Sequence, residues 1–274
     1  MSQKARQFRN LHAEGCFVMP NAWDAGSTVA LASLGFEAIG TSSAALAFTL
    51  ARPDTPNALT VEEVLSNARE IVASASIPVN ADFQSGYADT PEQVHESVKR
   101  CVEVGVAGLS IEDASDREGE ELFQFEEAVD RVRAACSAVR EIDPEVVVTA
   151  RCEAFLLGVD HPMDEVNRRL IAYAEAGADC LFAPGMRDRH EIAAMVKALE
   201  PKAVNVLAVD PSWMSLDSLG DLGVRRISVG SAIARVGWRS TLAAARAIAS
   251  TGELRDLAAA ESFQRLDTLF GAAE

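Results

Sequence analysis

The sequence is short of the features that mark several functional classes, and each shortage excludes something. Basic residues are scarce: 25 Lys and Arg against 41 Asp and Glu leave a net charge of −16. A field of that sign repels phosphate backbones and anionic lipid, so neither nucleic acid nor a membrane surface is an expected partner. The five cysteines, Cys16, Cys101, Cys136, Cys152 and Cys180, are odd in number and widely spaced, with no C-x-x-C pair. That argues against a disulfide framework and against a structural zinc site. His12, His95, His161 and His190 likewise lack a metal-binding spacing. No apolar run approaches bilayer-spanning length, and residues 1–14 contain no apolar stretch of the secretory kind, so a cytoplasmic protein is expected. A Walker A motif and the G-x-G-x-x-G context are both missing, which leaves nucleotide binding without a signature. There is no low-complexity segment and no Pro/Gly/Ser linker, so residues 1–274 read as one domain.

What is present is an alternation. Eight short apolar runs, rich in β-branched or small residues, read as strands: Phe17–Met19, Ala38–Gly40, Ile77–Ala81, Gly108–Ile111, Val146–Thr149, Cys180–Phe182, Ala203–Leu207 and Arg226–Val229. Helical patterns lie between them. Thr60-Val61-Glu62-Glu63 and Thr90-Pro91-Glu92-Gln93 each combine a capping hydroxyl with an acid or amide three residues on. Gly35, Gly105, Gly177 and Gly223 each stand just before a strand, where a helix ends most easily on a left-handed residue. Eight such units in an undivided chain predict an α/β fold, a (β/α)8 TIM barrel, rather than a doubly wound open sheet. After the eighth strand come two helical patterns, Ala232–Ala249 and Glu253–Phe270. One helix closes a barrel, so the second is extra and reads as a cap or an oligomer contact.

A barrel builds its active site at the C-terminal ends of its strands. Those ends carry Asn21-Ala22-Trp23-Asp24, Thr41-Ser42-Ser43, Asn80 and Asp82, Glu112-Asp113, Arg151 and Glu153, Asn205 and Ser228. Side chains alternate faces along a strand, so Asn80 shares a face with Asp82 and Arg151 with Glu153, while Cys152 points toward the helices as a small core residue. Strand-end acids with one arginine and several amides or hydroxyls suit a hard divalent cation holding a small carboxylate, Mg²⁺ or Mn²⁺ rather than zinc.

The segments "PNAWDAGSTVALASLGFEAIGTSSAALAFTLARPD", "IPVNADFQSGYAD", "GVAGLSIED", "TARCEAF" and "SVGSAIAR" together resemble the isocitrate lyase/phosphoenolpyruvate mutase superfamily, in the correct order from about Met19 to Arg235. The resemblance implies a barrel whose last helix swaps with a neighbouring subunit in a homodimer or homotetramer. It also implies Mg²⁺-dependent making or breaking of a C–C or P–C bond in 2-oxo acids or related di- and tricarboxylates, through a pyruvate enolate. By position, Ser42, Ser43 and Ala44 match the substrate-carboxylate loop, and Arg151 matches the carboxylate clamp. Asp82 matches the direct metal ligand, Asp54 and Glu112 acids around metal-bound water, and Asn205 a polar residue on the substrate side. Arg151, Glu112 and Asn205 are thus the expected catalytic groups. Two departures stand out. Asn80-Ala81-Asp82 replaces the D-x-D of many members. The loop Ala114–Leu122 contains none of the Cys, His or Lys of the lyase branch, nor the Lys and Asn of the phosphonopyruvate branch. A C–C lyase or decarboxylase of a small 2-oxo dicarboxylate is the leading expectation. A non-catalytic 2-oxo-acid-binding protein and mutase-type P–C chemistry are the alternatives.

Overall fold

The computed structural model describes residues 2–55 and 58–271. Its eight strands are β1 (Phe17–Met19), β2 (Ile39–Gly40), β3 (Val79–Asp82), β4 (Gly108–Glu112), β5 (Val147–Arg151), β6 (Cys180–Phe182), β7 (Ala203–Leu207) and β8 (Arg226–Ser228). All pair in parallel in the order β1-β8-β7-β6-β5-β4-β3-β2. The two ends of that order meet at a bridge between Asn21 and Gly40, just beyond β1. The backbone amides of Ala22 and Gly40 supply its hydrogen bonds, each 2.8 Å long. The result is the (β/α)8 barrel, with strand limits within two residues of those predicted.

The strand sequences explain which side chains face the axis. Leu109, Ile111, Val148, Ala150, Leu181, Val204, Val206 and Ile227 are buried and alternate with Ser110, Glu112, Thr149, Arg151, Asn205 and Ser228. The polar set meets across the barrel: the Arg226 Nη2 of β8 donates to the Thr149 Oγ1 of β5 over 2.9 Å. The apolar set therefore packs outward against the helices, and the barrel lumen is polar.

The surrounding helices are α1 (Gln3–Leu11), α2 (Ala25–Ser33), α3 (Ser43–Thr49), α4 (Val61–Ser74), α5 (Pro91–Glu103), α6 (Phe125–Ile142), α7 (Ala154–Leu157), α8 (Pro162–Ala176), α9 (Arg189–Leu199), α10 (Leu216–Gly220), α11 (Ala232–Thr251) and α12 (Phe263–Gly271). Thr60 and Thr90 form the two expected capping boxes at the starts of α4 and α5. Gly35, Gly105, Gly177 and Gly223 take φ of +85°, +98°, +111° and +86°.

Helix α1 was not legible as a barrel element, and it closes the lower end. Its Arg9 donates to the Pro144, Glu145 and Val146 carbonyls ahead of β5 and pairs with Asp179 ahead of β6. Phe8 projects up to the floor so closely that a Cβ on Gly108 would lie 2.6 Å from its ring. Only glycine fits at that position.

The C-terminal region departs from expectation in one respect. The pattern Glu253–Phe270 is not one helix: a 3₁₀ turn at Arg255–Ala259 precedes α12, with extended backbone at Ala260 between them. Helix α12 returns to the same barrel and packs on α2, where the Phe270 ring lies 3.9 Å from the Cβ position of Gly26. It is the extra helix. Helix α11 leaves the barrel surface: of its 20 residues only Ala234 is buried.

Candidate active site

Arg151 ends β5 and organises the barrel mouth. Its Nη1 lies 2.9 Å from Asp82 Oδ1 and 3.1 Å from Glu112 Oε2, and its Nη2 lies 2.8 Å from Glu153 Oε1. The guanidinium also sits 5.2 Å from the centre of the Phe182 ring. Register places these groups: Glu112 pairs with Arg151 and Asp82 with Ser110 on neighbouring strands. The second oxygen of Asp82 accepts from both the backbone N (3.0 Å) and the Oγ (2.9 Å) of Ser43, at the start of α3. Ser42 is the N-cap of that helix, its Oγ accepting from the Ala45 amide, and Ala44 follows in the first turn. Asp54 lines the cavity at the lip of the same mouth.

Glu153 was seen in the sequence only as sharing a face with Arg151, yet it holds both the Nε and Nη2 of the guanidinium. The signal was the R-x-E alternation at a strand end. Asp113 fixes Glu153 from outside the lumen. It accepts from the Glu153 amide (2.8 Å), the Tyr173 hydroxyl (2.7 Å) and Arg169 (3.3 Å), a buried and fully engaged set.

The electrostatics of the mouth are unbalanced. Asp54, Asp82, Glu112 and Glu153 carry four negative charges against one on Arg151, a formal excess of three. Burial pushes the Glu112 carboxyl well above its usual range, with Arg151 opposing and Glu153, Asp82 and Asp113 adding to the rise. Glu153 is raised for the same leading reason, as is Asp54, where Asp82 contributes next. Burial works against the charge of Arg151 itself, but Glu112, Glu153 and Asp82 overcome it and hold the guanidinium above the ordinary arginine value.

Among the described residues no three acids, histidines or cysteines form a ready-made cation cage. The donor set nonetheless fits a hard divalent ion. It is all oxygen, it has negative charge to spare, and Asp82 and Glu112 already converge on a single cationic nitrogen. Asn80, two residues below Asp82, is buried with its Oδ1 unpartnered.

Asn205 lies deeper. Its Oδ1 accepts from Arg226 Nε (2.8 Å) and its Nδ2 donates to Ser228 Oγ (3.0 Å), so both ends of the amide are engaged inside the lumen. The structure does not bring it to the acid cluster. Arg226 in turn reaches Thr149 Oγ1 and, at 3.2 Å, His12 Nε2. Burial first, and then the Arg226 charge, depress the His12 imidazole to about 3, so it is a neutral acceptor.

A cavity of about 990 Å³ opens from the mouth toward α5, lined among others by Asp54, Gln84, Tyr87, Glu112, Ser115 and Glu153. The loop Ala114–Leu122 folds on itself beside it, pinned by a bridge between its end residues. Arg117 turns away from the mouth, pairing with Glu127 of α6 at 2.6 and 2.7 Å and lying 5.0 Å from the Phe123 ring centre. All five cysteines are free thiols, four of them buried.

Comparison with known proteins agrees with this architecture. Oxaloacetate decarboxylase from Pseudomonas aeruginosa is 33% identical over 229 residues, covering 81% of this chain and 77% of that protein. A Burkholderia cenocepacia J2315 protein provisionally described as a lyase/mutase superposes with a TM-score of 0.93 at 39% identity, covering 98% of this chain and 96% of that one. Phosphonopyruvate hydrolase in complex with oxalate and Mg²⁺ superposes with a TM-score of 0.87 at 27% identity, covering 99% and 96%. Residues 8–249 match the family model for phosphoenolpyruvate phosphomutase. With eight parallel strands, an acid-rich mouth and a match across most of its length, the chain belongs to the phosphoenolpyruvate mutase family, within the isocitrate lyase/phosphoenolpyruvate mutase superfamily.

Proposed function

We propose that the protein is a divalent-cation-dependent lyase that decarboxylates a small 2-oxo dicarboxylate of the oxaloacetate class. The observation that carries the reading is the convergence of Asp82 and Glu112 on one Arg151 nitrogen, with Ser43 holding the other oxygen of Asp82. Similarity to an oxaloacetate decarboxylase and to a Mg²⁺- and oxalate-binding relative supports it.

Asp82 would hold the ion directly, with Glu112 and Asp54 beside it; Mg²⁺ or Mn²⁺ suits these oxygens. When bound, the ion supplies a Lewis acid for the 2-oxo group. The remaining work belongs to the chain. With Asp82 and Glu112 engaged elsewhere, Arg151 keeps Glu153 as its anchor and turns Nη1 to a substrate carboxylate, a charge-assisted contact. The first turn of α3, Ser42 to Ala44, borders the same space and orients the other carboxylate. Asn205, tied to Arg226, acts as a positioning residue in the floor. Loss of the C4 carboxylate as CO₂ leaves an enolate whose charge develops beside Arg151.

The exposed apolar side chains of α11, Val236, Trp238, Leu242 and Ile248, fit packing on a second copy of the chain, the homodimer or homotetramer expected from the resemblance.

The test is a steady-state screen of oxaloacetate, methylisocitrate and dimethylmalate with Mg²⁺ and with chelator. Oxaloacetate should yield pyruvate only with the ion, and D82N should lower kcat/KM by a factor on the order of 100 or more, as loss of a principal electrostatic group does. Tight oxalate binding with no turnover of any of the three would instead favour a 2-oxo-acid-binding protein, a reading consistent with Arg117 facing α6.

A further inference from the structure

Resting on the reading of Arg151 as the substrate-carboxylate clamp, one requirement follows: the guanidinium must keep one direction among three carboxylates. Glu153 sets that direction. Its Oε1 takes both Nε (2.9 Å) and Nη2 (2.8 Å), one edge of the guanidinium, and leaves Nη1 toward Asp82 and Glu112. Whatever holds Glu153 therefore bears on binding.

Glu153 stands where β5 gives out. The Cys152 amide still pairs with the neighbouring strand, on the Phe182 carbonyl (2.8 Å). The Glu153 amide is the next one along, and Asp113 Oδ1 accepts it at 2.8 Å in place of a strand carbonyl. Glu153 is also the N-cap residue of α7, yet its side chain makes no capping bond. A carboxylate placed to cap a helix is turned into the mouth instead, and the backbone bond to Asp113 fixes the residue in that pose.

Asp113 is itself built in. Helix α8 presents Glu165, Arg169 and Tyr173 at a spacing of four, on one face. Glu165 holds Arg169 Nε (2.8 Å), while Arg169 Nη1 and the Tyr173 hydroxyl both donate to Asp113 Oδ2. Asp113, Arg169 and Tyr173 are all buried. The same set reaches the foot of the loop Ala114–Leu122: Arg169 Nη2 donates to the Phe123 carbonyl (3.0 Å), and the Phe123 amide to the Asp113 carbonyl (2.9 Å). A buried ion pair adds little to stability that apolar residues of like volume would not, so one at the rim of a binding site calls for another reason.

We propose that Asp113 is a positioning residue for substrate binding: through the Glu153 amide it directs the Glu153 carboxylate, and through that carboxylate the Arg151 guanidinium. Arg169 and Tyr173 keep Asp113 in place, and Arg169 ties the foot of the loop to the same frame. Asp113 itself lies outside the lumen, so its influence on a ligand runs along these contacts.

The test is a double-mutant cycle, read as oxalate binding by calorimetry with Mg²⁺ at a temperature where each variant is folded. D113N keeps the shape of the side chain and removes the charge that gathers Arg169 and Tyr173. It should weaken oxalate binding about tenfold. In an E153Q background the same substitution should change affinity by less than about twofold, because the route through the Glu153 carboxylate is already cut. Y173F takes one donor from Asp113 and leaves the others. It should weaken binding about threefold in the wild type and leave E153Q unchanged, and it carries the cycle where D113N does not fold. Equal losses in both backgrounds overturn the proposal, since Asp113 then acts on the fold at large. Wild-type oxalate affinity in the variant, with only a lowered unfolding midpoint, overturns it as well. Wild-type protein that binds oxalate but leaves oxaloacetate intact removes the decarboxylase reading alone, and the cycle still judges Asp113. Wild-type protein that does not bind oxalate removes both.

Discussion

Two arginines buried in the same barrel live under opposite regimes. Arg151, at the mouth, is surrounded by Asp82, Glu112 and Glu153. Arg226, on the neighbouring floor, touches Asn205, Thr149 and His12 and, among the described residues, no carboxylate. Burial lowers the pKa of Arg226, and the charge of Arg151 lowers it further, whereas the acids raise that of Arg151. The floor is a closed account: neutral acceptors fill the guanidinium whether or not anything binds. The mouth carries surplus acid, relieved by protons on its raised carboxyls or by an added cation. Stability and function are thus separated by about one layer of side chains along a few strands.

The sharpest way to break this contrast is to remove each arginine in turn. R151M leaves three buried carboxylates without their cation, so activity toward oxaloacetate should fall by a factor on the order of 1,000, and stability should drop by about 3–5 kcal/mol, read by denaturant unfolding. R226M abandons neutral partners instead. Its cost should be smaller, about 2–3 kcal/mol in the same titration, with oxalate affinity in Mg²⁺ changed by less than about tenfold. Equal loss of oxalate binding in the two variants would show that mouth and floor are one unit.

The third effect is in pH. His12 titrates at about 3 in the folded chain and near 6.5 when unfolded, so the unfolded state binds the extra proton between those values. Stability is therefore lost as pH falls through this window, by roughly 1.4 kcal/mol per pH unit at most. The raised carboxyls of Glu112 and Glu153 act with the opposite sign, being protonated in the folded state first, so their share is lost as pH rises above about 4.5. H12Q should flatten the acid limb of the stability curve between pH 6.5 and 4 while leaving the alkaline side unchanged. A parent curve without that limb would contradict the buried, neutral imidazole.

The part of this arrangement that repeats was readable beforehand. Strands of the type Gly108-Leu109-Ser110-Ile111-Glu112 and Val147-Val148-Thr149-Ala150-Arg151 display their period of two openly, and the glycines and capping boxes mark helix ends because the chemistry is local. Asp82, Glu112 and Arg151 are expected side by side because a barrel gathers its strand ends, and the salt bridges join them. What stayed hidden depends on depth and on long-range contact. Asn205 sits at a position equivalent in pattern to the others, but one layer lower, where Arg226 claims it; the sequence carries no measure of strand stagger. In the turn after β3, Gly86 marks one left-handed residue, but Gln84 and Tyr87 on either side of it also take positive φ, and the grip on that turn comes from Arg131, 44 positions beyond Tyr87. Helix α1 belongs to the floor because Arg9 finds carbonyls ahead of β5 and Phe8 fills the space under Gly108, contacts that no local pattern marks. The break before α12 has no proline to signal it.

Asn21 gives the ring a further property. Its side chain donates to the Thr41 carbonyl (2.6 Å) and accepts from the Val229 amide (3.2 Å), and so spans the one joint where the first and last members of the sheet order meet. Thr41 on that joint also receives the Asp82 amide on its hydroxyl (2.8 Å). A hoop with a single clasp breathes at the clasp. Here the clasp and the backbone of Asp82 share Thr41, so a contact that steadies Asp82 would tighten the hoop as well.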